Sequence, residues 1–325
     1  MKALLLTGPN TWEITEIPTP TPAKGQVLVK MAFAPVNPSD LSFLTGNYGL
    51  KKPFPVVPGL EGSGTVVASG GGFLANRLLN KRVACTAGSG NGTWAEYMLT
   101  DAGKCIDIPD SIDQQQASML FVNPLTAISF IKQAKNFGAN AIVISAAGSA
   151  LAKMVLYHTQ KAGIPVIGVI RNISGKTKLK SAGFEEIFSL SEDNVFEELK
   201  EFSKKYKKII YFDAVSGGDI PYKILNALPD NSKMVIYGRL DLNPTEMQPQ
   251  NLLFKQNIIE GYWLSKELKD KSILNVLLDI SKIKKMLKSG FETQIQGVFD
   301  LENAQKAIDA YTQNMSAGKV LLKFN

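Results

Sequence analysis

Two short stretches of this chain carry residue types suited to nucleotide chemistry. The first is Ser145-Ala146-Ala147-Gly148-Ser149-Ala150-Leu151-Ala152, between an apolar run and a helical pattern. A strand-to-helix turn aims backbone N–H groups at a helix N-terminus, and small residues there let a pyrophosphate approach. The usual fingerprint has several glycines, whereas this turn has only Gly148. Gly148, Ser149, Ala150 and Leu151 therefore read either as a glycine-poor phosphate turn, with the Ser149 hydroxyl as a donor, or as a plain tight turn. The second stretch is Val169-Ile170-Arg171-Asn172, with Arg171 23 residues after Gly148 and Lys176 close behind. NAD sites place a carboxylate there for the ribose 2′-hydroxyl, but a guanidinium can grip a 2′-phosphate in fork geometry. Arg171 thus points to NADPH, the alternative being an arginine that merely faces water.

Other chemistries lack residues. The chain has two cysteines, Cys85 and Cys105, and one histidine, His158. A disulfide framework is excluded, and a zinc site would have to rest on carboxylates. Nucleophilic triads would all run through His158, which lies on an apolar helical stripe with Leu151 and reads as a packing residue. The net charge is +7, and four of those charges lie in 266–290, where seven lysines face three acids. Ile273, Val276, Leu277, Ile280, Ile283 and Leu287 give that segment a helical apolar stripe, so its lysines read as a solvated face. Attraction of an anionic ligand is the other reading. No aromatic-interleaved basic module for nucleic acid is present. No apolar run reaches the ~18 residues of a membrane span, and Met1–Thr7 is too short for a signal-peptide core, so a cytoplasmic location is expected.

These residues need elements to position them, and the chain supplies two kinds. At 325 residues, two domains are expected. Up to about residue 120, short β-like runs alternate with Gly and Pro: Val27–Val36, Gly64–Ala68, Arg82–Thr86, Trp94–Leu99 and Cys105–Ile108. From about 123 the pattern alternates helix and strand, with strands at Ala141–Ser145, Val166–Ile170, Glu186–Leu190, Ile209–Asp213 and Met234–Tyr237, and a last one near Gly261–Leu264. That alternation predicts βαβ units around a doubly wound parallel sheet. The tail reads β–α–β and returns to the first domain. The expected class is α/β, with a β-rich domain over 1–122 and 290–325 and a nucleotide-binding domain over 123–289.

At this point the sequence resembles the zinc-free branch of the medium-chain dehydrogenase/reductase superfamily, across essentially its whole length. The resemblance rests on Val36-Asn37-Pro38-Ser39-Asp40, Pro58-Gly59-Leu60-Glu61-Gly62-Ser63-Gly64, Gly92-Thr93-Trp94-Ala95-Glu96-Tyr97 and Val122-Asn123-Pro124-Leu125-Thr126-Ala127. Zinc-dependent members carry Cys near Asn37, Gly-His-Glu in place of Gly59-Leu60-Glu61, and a four-cysteine lobe; none is present here. Gly46-Asn47-Tyr48-Gly49 and Val122-Asn123-Pro124 are similar to the mitochondrial-type trans-2-enoyl thioester reductases, and quinone oxidoreductases share the frame. The resemblance implies a GroES-like catalytic domain, a Rossmann domain and a homodimer. It makes Tyr48 the proton donor and counts Asn37, Asn123 and Thr126 among the cofactor contacts. It puts Arg171 and Asn172 at the 2′-phosphate, Tyr237-Gly238-Arg239 beside the nicotinamide, and Tyr262-Trp263-Leu264 over the cofactor. Asn37-Pro38-Ser39-Asp40 equally reads as a helix start, with Asn as cap, Pro at the first position and Asp offsetting the dipole. Tyr48 equally reads as a loop aromatic.

The expected activity is NADPH-dependent reduction of an activated C=C bond in a 2-enoyl thioester or enone. Hydride addition at the β-carbon builds charge on the carbonyl oxygen, so without a metal the site needs hydrogen-bond donors and a proton for the α-carbon. A tyrosine hydroxyl keeps its proton at pH 7 and meets both needs. Quinone reduction is the alternative, and a cofactor-binding sensor or scaffold without turnover is the alternative of another class.

Overall fold

A computed structural model describes residues 1–88 and 90–324, apart from the side chains of Asn251 and Ile273. The apolar runs of the first hundred residues pair as strands: β1 (Lys2–Gly8), β2 (Thr11–Glu16), β3 (Gln26–Val36), β4 (Glu61–Ser69), β5 (Arg82–Thr86), β6 (Tyr97–Asp101) and β7 (Cys105–Asp107). The alternating stretch gives β8 (Ala141–Ile144), β9 (Val166–Ile170), β10 (Glu186–Ser189), β11 (Ile209–Asp213), β12 (Lys233–Ile236) and β13 (Ile258–Gly261), and the tail gives β14 (Ile295–Asp300) and β15 (Lys319–Lys323). The chain divides into two compact units, Met1–Leu125 with Ile273–Asn325, and Thr126–Ser272.

In the first unit, β14-β15-β3-β4-β5-β7 form one mostly antiparallel sheet, with β6 also paired to β3 and a separate β1-β2 ribbon. The tail returns to this unit because β15 pairs antiparallel with β3, Val320 opposite Val36. Leu4, Leu6, Val29, Met31, Trp94 and Met98 fill its core. Each such side chain is worth about 1.5–3 kcal/mol when fully buried.

The second unit is a six-stranded parallel sheet in the order β10-β9-β8-β11-β12-β13. β8, β9 and β11 are buried at every residue, as strands covered on both faces must be, which explains their continuous apolar runs. The chain runs outward from β8 to β9 and β10, then returns to β11 on the other side. The β8/β11 boundary is therefore the topological switch point, where such sheets bind ligands beyond their strand C-termini.

The expected α/β class is found, with differences in detail. The last parallel strand is Ile258–Gly261, earlier than expected, because Ile258 to Gly261 pair in register with Lys233 to Ile236. Leu264 instead begins the helix Leu264–Asp270, with Trp263 extended at its cap. The expected Trp94–Leu99 strand starts at Tyr97. The helix Ile273–Lys288 falls in the β-rich unit, whereas the sequence reading drew that edge after residue 289. Its buried face runs through Asp279, Ile283 and Met286, so Leu277, 57% exposed, lies off the stripe expected of it. The Ile273 side chain lies outside the described residues. Among the described residues, no helix is long and apolar enough to cross a membrane.

Candidate active site

In the parallel-sheet unit, most of the expected cofactor residues stand at one edge, where the strands end at their C-termini. After β8 the chain turns through Ala146–Gly148 into the helix Ala150–Gln160. Ser149 caps that helix, its Oγ accepting from Ala152 N at 3.2 Å and its hydroxyl proton remaining to donate. Leu151, expected as a contact, is buried, since its side chain faces the core from the second helical position. The missing glycines have a counterpart on the neighbouring strand. A β-carbon on Gly168 in β9 would lie 2.7 Å from the Ala147 methyl and 2.5 Å from Ile187 Cδ1. Close turn-to-sheet packing is therefore secured from β9, a signal that a turn motif alone cannot reveal.

Arg171 and Asn172 follow β9 and are exposed. Lys176, expected among the cofactor residues, is paired: its Nζ lies 2.7 Å and 2.9 Å from the two Glu192 carboxylate oxygens. Glu192 also accepts from Ser189 N, which fixes the pair to the end of β10.

The other half of the edge is organised around Asp213, the last residue of β11, which sequence reasoning missed. Asp213 is fully buried. Its Oδ1 accepts from Ser145 Oγ (2.8 Å), Tyr211 OH (2.7 Å) and Val215 N (3.2 Å). Its Oδ2 accepts from Ser216 N (2.8 Å) and Ser216 Oγ (3.2 Å). Tyr237 N donates to the Asp213 carbonyl at 2.9 Å, and the single Ser216 hydroxyl proton is shared between Asp213 Oδ2 and the Gly238 carbonyl, 2.6 Å away. Gly238 passes so close to Ala214 that a β-carbon would sit 2.8 Å from the Ala214 carbonyl oxygen. Burial pushes the Tyr237 phenol well up, and the Asp213 charge adds to the shift. Arg239 is exposed and donates to the Leu242 carbonyl.

Tyr262, just beyond β13, donates to Glu267 Oε2 at 2.7 Å, and its ring meets the edge of Phe130. Ser129 Oγ bonds the same carboxylate oxygen and Lys271 Nζ the other. Those three bonds hold Glu267 below the usual carboxylate range against the cost of burying it. Burial drives the Tyr262 phenol up. The buried Thr126 shares this neighbourhood. Trp263 and Leu264, half-buried, follow at the helix start.

In the β-rich unit, Tyr48 is half-buried on the loop after the helix Pro38–Leu44 and packs against the core. Asn37, expected among the cofactor contacts, is turned into the protein instead. It is 1% exposed, and its whole amide is engaged: Nδ2 donates to Glu61 Oε1 at 3.1 Å and Oδ1 accepts from Lys319 Nζ. Its backbone N–H donates to Asp40 Oδ2, completing the helix start anticipated from the motif. Glu61 Oε2 accepts from Phe121 N (2.9 Å) and Val122 N (3.0 Å), so it anchors the first turn of the helix Val122–Phe137, where Asn123 lies half-buried. Lys319, Glu61 and Asp40 are each 3% exposed or less. Burial pushes Asp40 up to about 7, raises Glu61 and lowers Lys319. Among the described residues, no group of three or more His, Cys, Asp or Glu has the placement to hold a metal.

Comparison with known proteins gives this geometry a family. The model of the alcohol dehydrogenase GroES-like domain matches residues 23–110. A mitochondrial enoyl-[acyl-carrier-protein] reductase from Bos taurus is 31% identical over 251 residues, 76% of this chain and 66% of that protein. The Arabidopsis thaliana enzyme of the same name is 28% identical over 256 residues, 77% of this chain and 68% of that protein. The matched region thus spans about two thirds of these curated relatives. A crystal structure from Mesorhizobium loti, of a protein assigned as an NADPH:quinone reductase, superposes with a TM-score of 0.91 at 31% identity, over 99% of this chain and 98% of that one. With a GroES-like domain and a doubly wound sheet in one chain, and full-length likeness at that identity, this chain belongs to the medium-chain dehydrogenase/reductase superfamily of oxidoreductases.

Proposed function

We propose that this chain reduces the activated carbon–carbon double bond of a 2-enoyl thioester or enone, without zinc, using NADPH and taking the proton from Tyr48. The observation that carries the cofactor reading is the end of β9. Exposed Arg171 and Asn172 stand where an NAD site wants a carboxylate, and the capped helix N-terminus lies one strand away. These residues fit a dinucleotide with a 2′-phosphate. Ser149 and the N–H groups of the first helical turn would hold the pyrophosphate, and Arg171 the 2′-phosphate. NADPH, when bound, supplies the hydride. This chain must then provide donors to the substrate carbonyl oxygen and a proton to the α-carbon, and Tyr48 is our choice for that donor. The relatives named enoyl-[acyl-carrier-protein] reductases support this substrate class.

Quinone reduction is the second reading, favoured by the Mesorhizobium loti likeness over 99% of the chain. A homodimer is part of the proposal: β13 is an edge strand, with Ile258, Leu253 and Phe254 exposed at 44%, 70% and 81% beside it.

NADPH consumption with crotonyl-CoA and with 1,4-benzoquinone, measured for the wild type and Tyr48→Phe, tests both readings. Enoyl reduction should slow about 10²–10⁴-fold, with the loss in kcat, while quinone reduction changes far less. Equal collapse of both activities would make Tyr48 a structural residue. NADPH binding without turnover of either substrate would favour a sensor, and activity lost to a chelator and restored by zinc would end the zinc-free reading.

A further inference from the structure

We propose that Asp213 is the positioning residue of the nicotinamide half of the dinucleotide crevice, its carboxylate fixing the loops that follow β8, β11 and β12. The proposal rests on the NADPH reading above. In a doubly wound sheet, one mononucleotide lies on each side of the switch point. Arg171, at the end of β9, marks the adenosine side, so the β11 and β12 ends serve the other nucleotide.

Asp213 reaches all three loops at that boundary. Ser145, directly after β8, donates to its Oδ1, and the same Ser145 Oγ accepts from Ala214 N at 2.8 Å. Val215 N, Ser216 N and Ser216 Oγ close the loop after β11 onto the carboxylate. Ser216 Oγ then reaches the Gly238 carbonyl, and Leu240 N and Asp241 N donate to the carbonyls of Ala214 and Val215, so the loop after β12 is tied to the one Asp213 holds. Ser216 is held at φ +63, in the left-handed region that a residue with a β-carbon enters at a cost. Such a conformation persists only where surrounding bonds impose it: here Asp213 Oδ2 holds Ser216 N and Oγ, while Thr245 Oγ1 donates to the Ser216 carbonyl. No side-chain atom of Asp213 is left for a ligand, because both oxygens are shared among five donors. It therefore acts through the loops and touches no reacting atom.

A positioning role of this kind should separate the two ends of the cofactor. Asp213→Asn keeps the shape but puts an amide N–H₂ against groups that donate. Calorimetry with NADPH and with 2′,5′-ADP, which lacks the nicotinamide half, reads each end in turn. The variant should bind NADPH about ten- to a hundredfold more weakly and 2′,5′-ADP as well as the wild type does. The enhancement of nicotinamide fluorescence on binding should also be lost. Equal losses for both ligands, or no loss for NADPH, would overturn the proposal. Should Asp213→Asn fail to fold, Ser216→Ala removes only the hydroxyl that links the carboxylate to Gly238. It should weaken NADPH about two- to tenfold and leave 2′,5′-ADP unchanged; an unchanged NADPH affinity would count against the proposal. A wild type that binds neither ligand would overturn the NADPH reading itself, and this assignment with it.

Discussion

The two units bury carboxylates by opposite means. In the β-rich unit, Glu61 and Asp40 are buried with the ammonium of Lys319 and share Asn37 as a common neighbour. In the parallel-sheet unit, every group that donates to Asp213 is neutral: two serines, a tyrosine and two backbone N–H groups. Taking ions from water costs several kcal/mol each, and close opposite charges or dense hydrogen bonding can repay it. The mixed-charge cluster joins elements far apart in sequence: the end of β3, the starts of β4 and β15, and the first turn of the helix Val122–Phe137. The neutral cluster joins loops that must keep one shape. The first is therefore expected to dominate stability, the second to dominate ligand discrimination.

The most forceful way to break this contrast is Lys319→Met, which keeps the stem and deletes the charge. Two buried carboxylates would lose their cation, a loss of about 3–5 kcal/mol read as a lower urea midpoint. A loss below about 1 kcal/mol, the range of surface pairs, would show that the ammonium does not compensate them. Next is Arg171→Ala, on the exposed rim of the other unit. It should weaken NADPH binding about ten- to a hundredfold and leave NADH and thermal stability almost unchanged; equal losses for the two cofactors would remove Arg171 from the 2′-phosphate. The mildest is a slope. Burial raises Asp40 from 3.8 to about 7, so the folded protein keeps a proton that the unfolded chain releases near pH 4. Stability from this group is complete below about pH 4 and is lost as pH rises through 7, by at most about 1.4 kcal/mol per pH unit. Asp40→Asn should flatten that part of the pH–stability curve. An unchanged slope would assign it to Glu61, whose shift has the same sign.

What the sequence revealed was local. Alternation of apolar strands with helical segments was enough for the parallel sheet, because β8, β9 and β11 are buried on both faces and read as unbroken runs. The helix start at Asn37-Pro38-Ser39-Asp40 was legible for the same reason, since its partners lie within three residues. The fate of the Asn37 side chain was not, because Lys319 is 282 residues away and enters only through the pairing of β15 with β3. The pairing of Lys176 was equally hidden, because its partner Glu192 lies 16 residues on, beyond β10. Asp213 carried no signal at all, being one more residue at the end of an apolar strand until the loops closed on it. Leu277 shows the limit of a stripe: periodicity marks an apolar face, but tertiary packing chooses which side is covered.

The close approach of Gly168 to Ala147 also limits how this protein can change. An alanine at 168 would bring two methyl carbons within 2.7 Å of each other, unless position 147 had first become glycine. The reverse order, glycine at 147 and then alanine at 168, removes that contact and leaves Ile187 Cδ1, the far end of a side chain 2.5 Å away, to give way. The turn after β8 and the neighbouring strand are thus linked in mutational history, and the order of the two steps decides how many contacts the intermediate must relieve. Anyone restoring a glycine-rich turn by design should find position 168 limited only by the Ile187 side chain, and a library that varies the turn alone would never detect it.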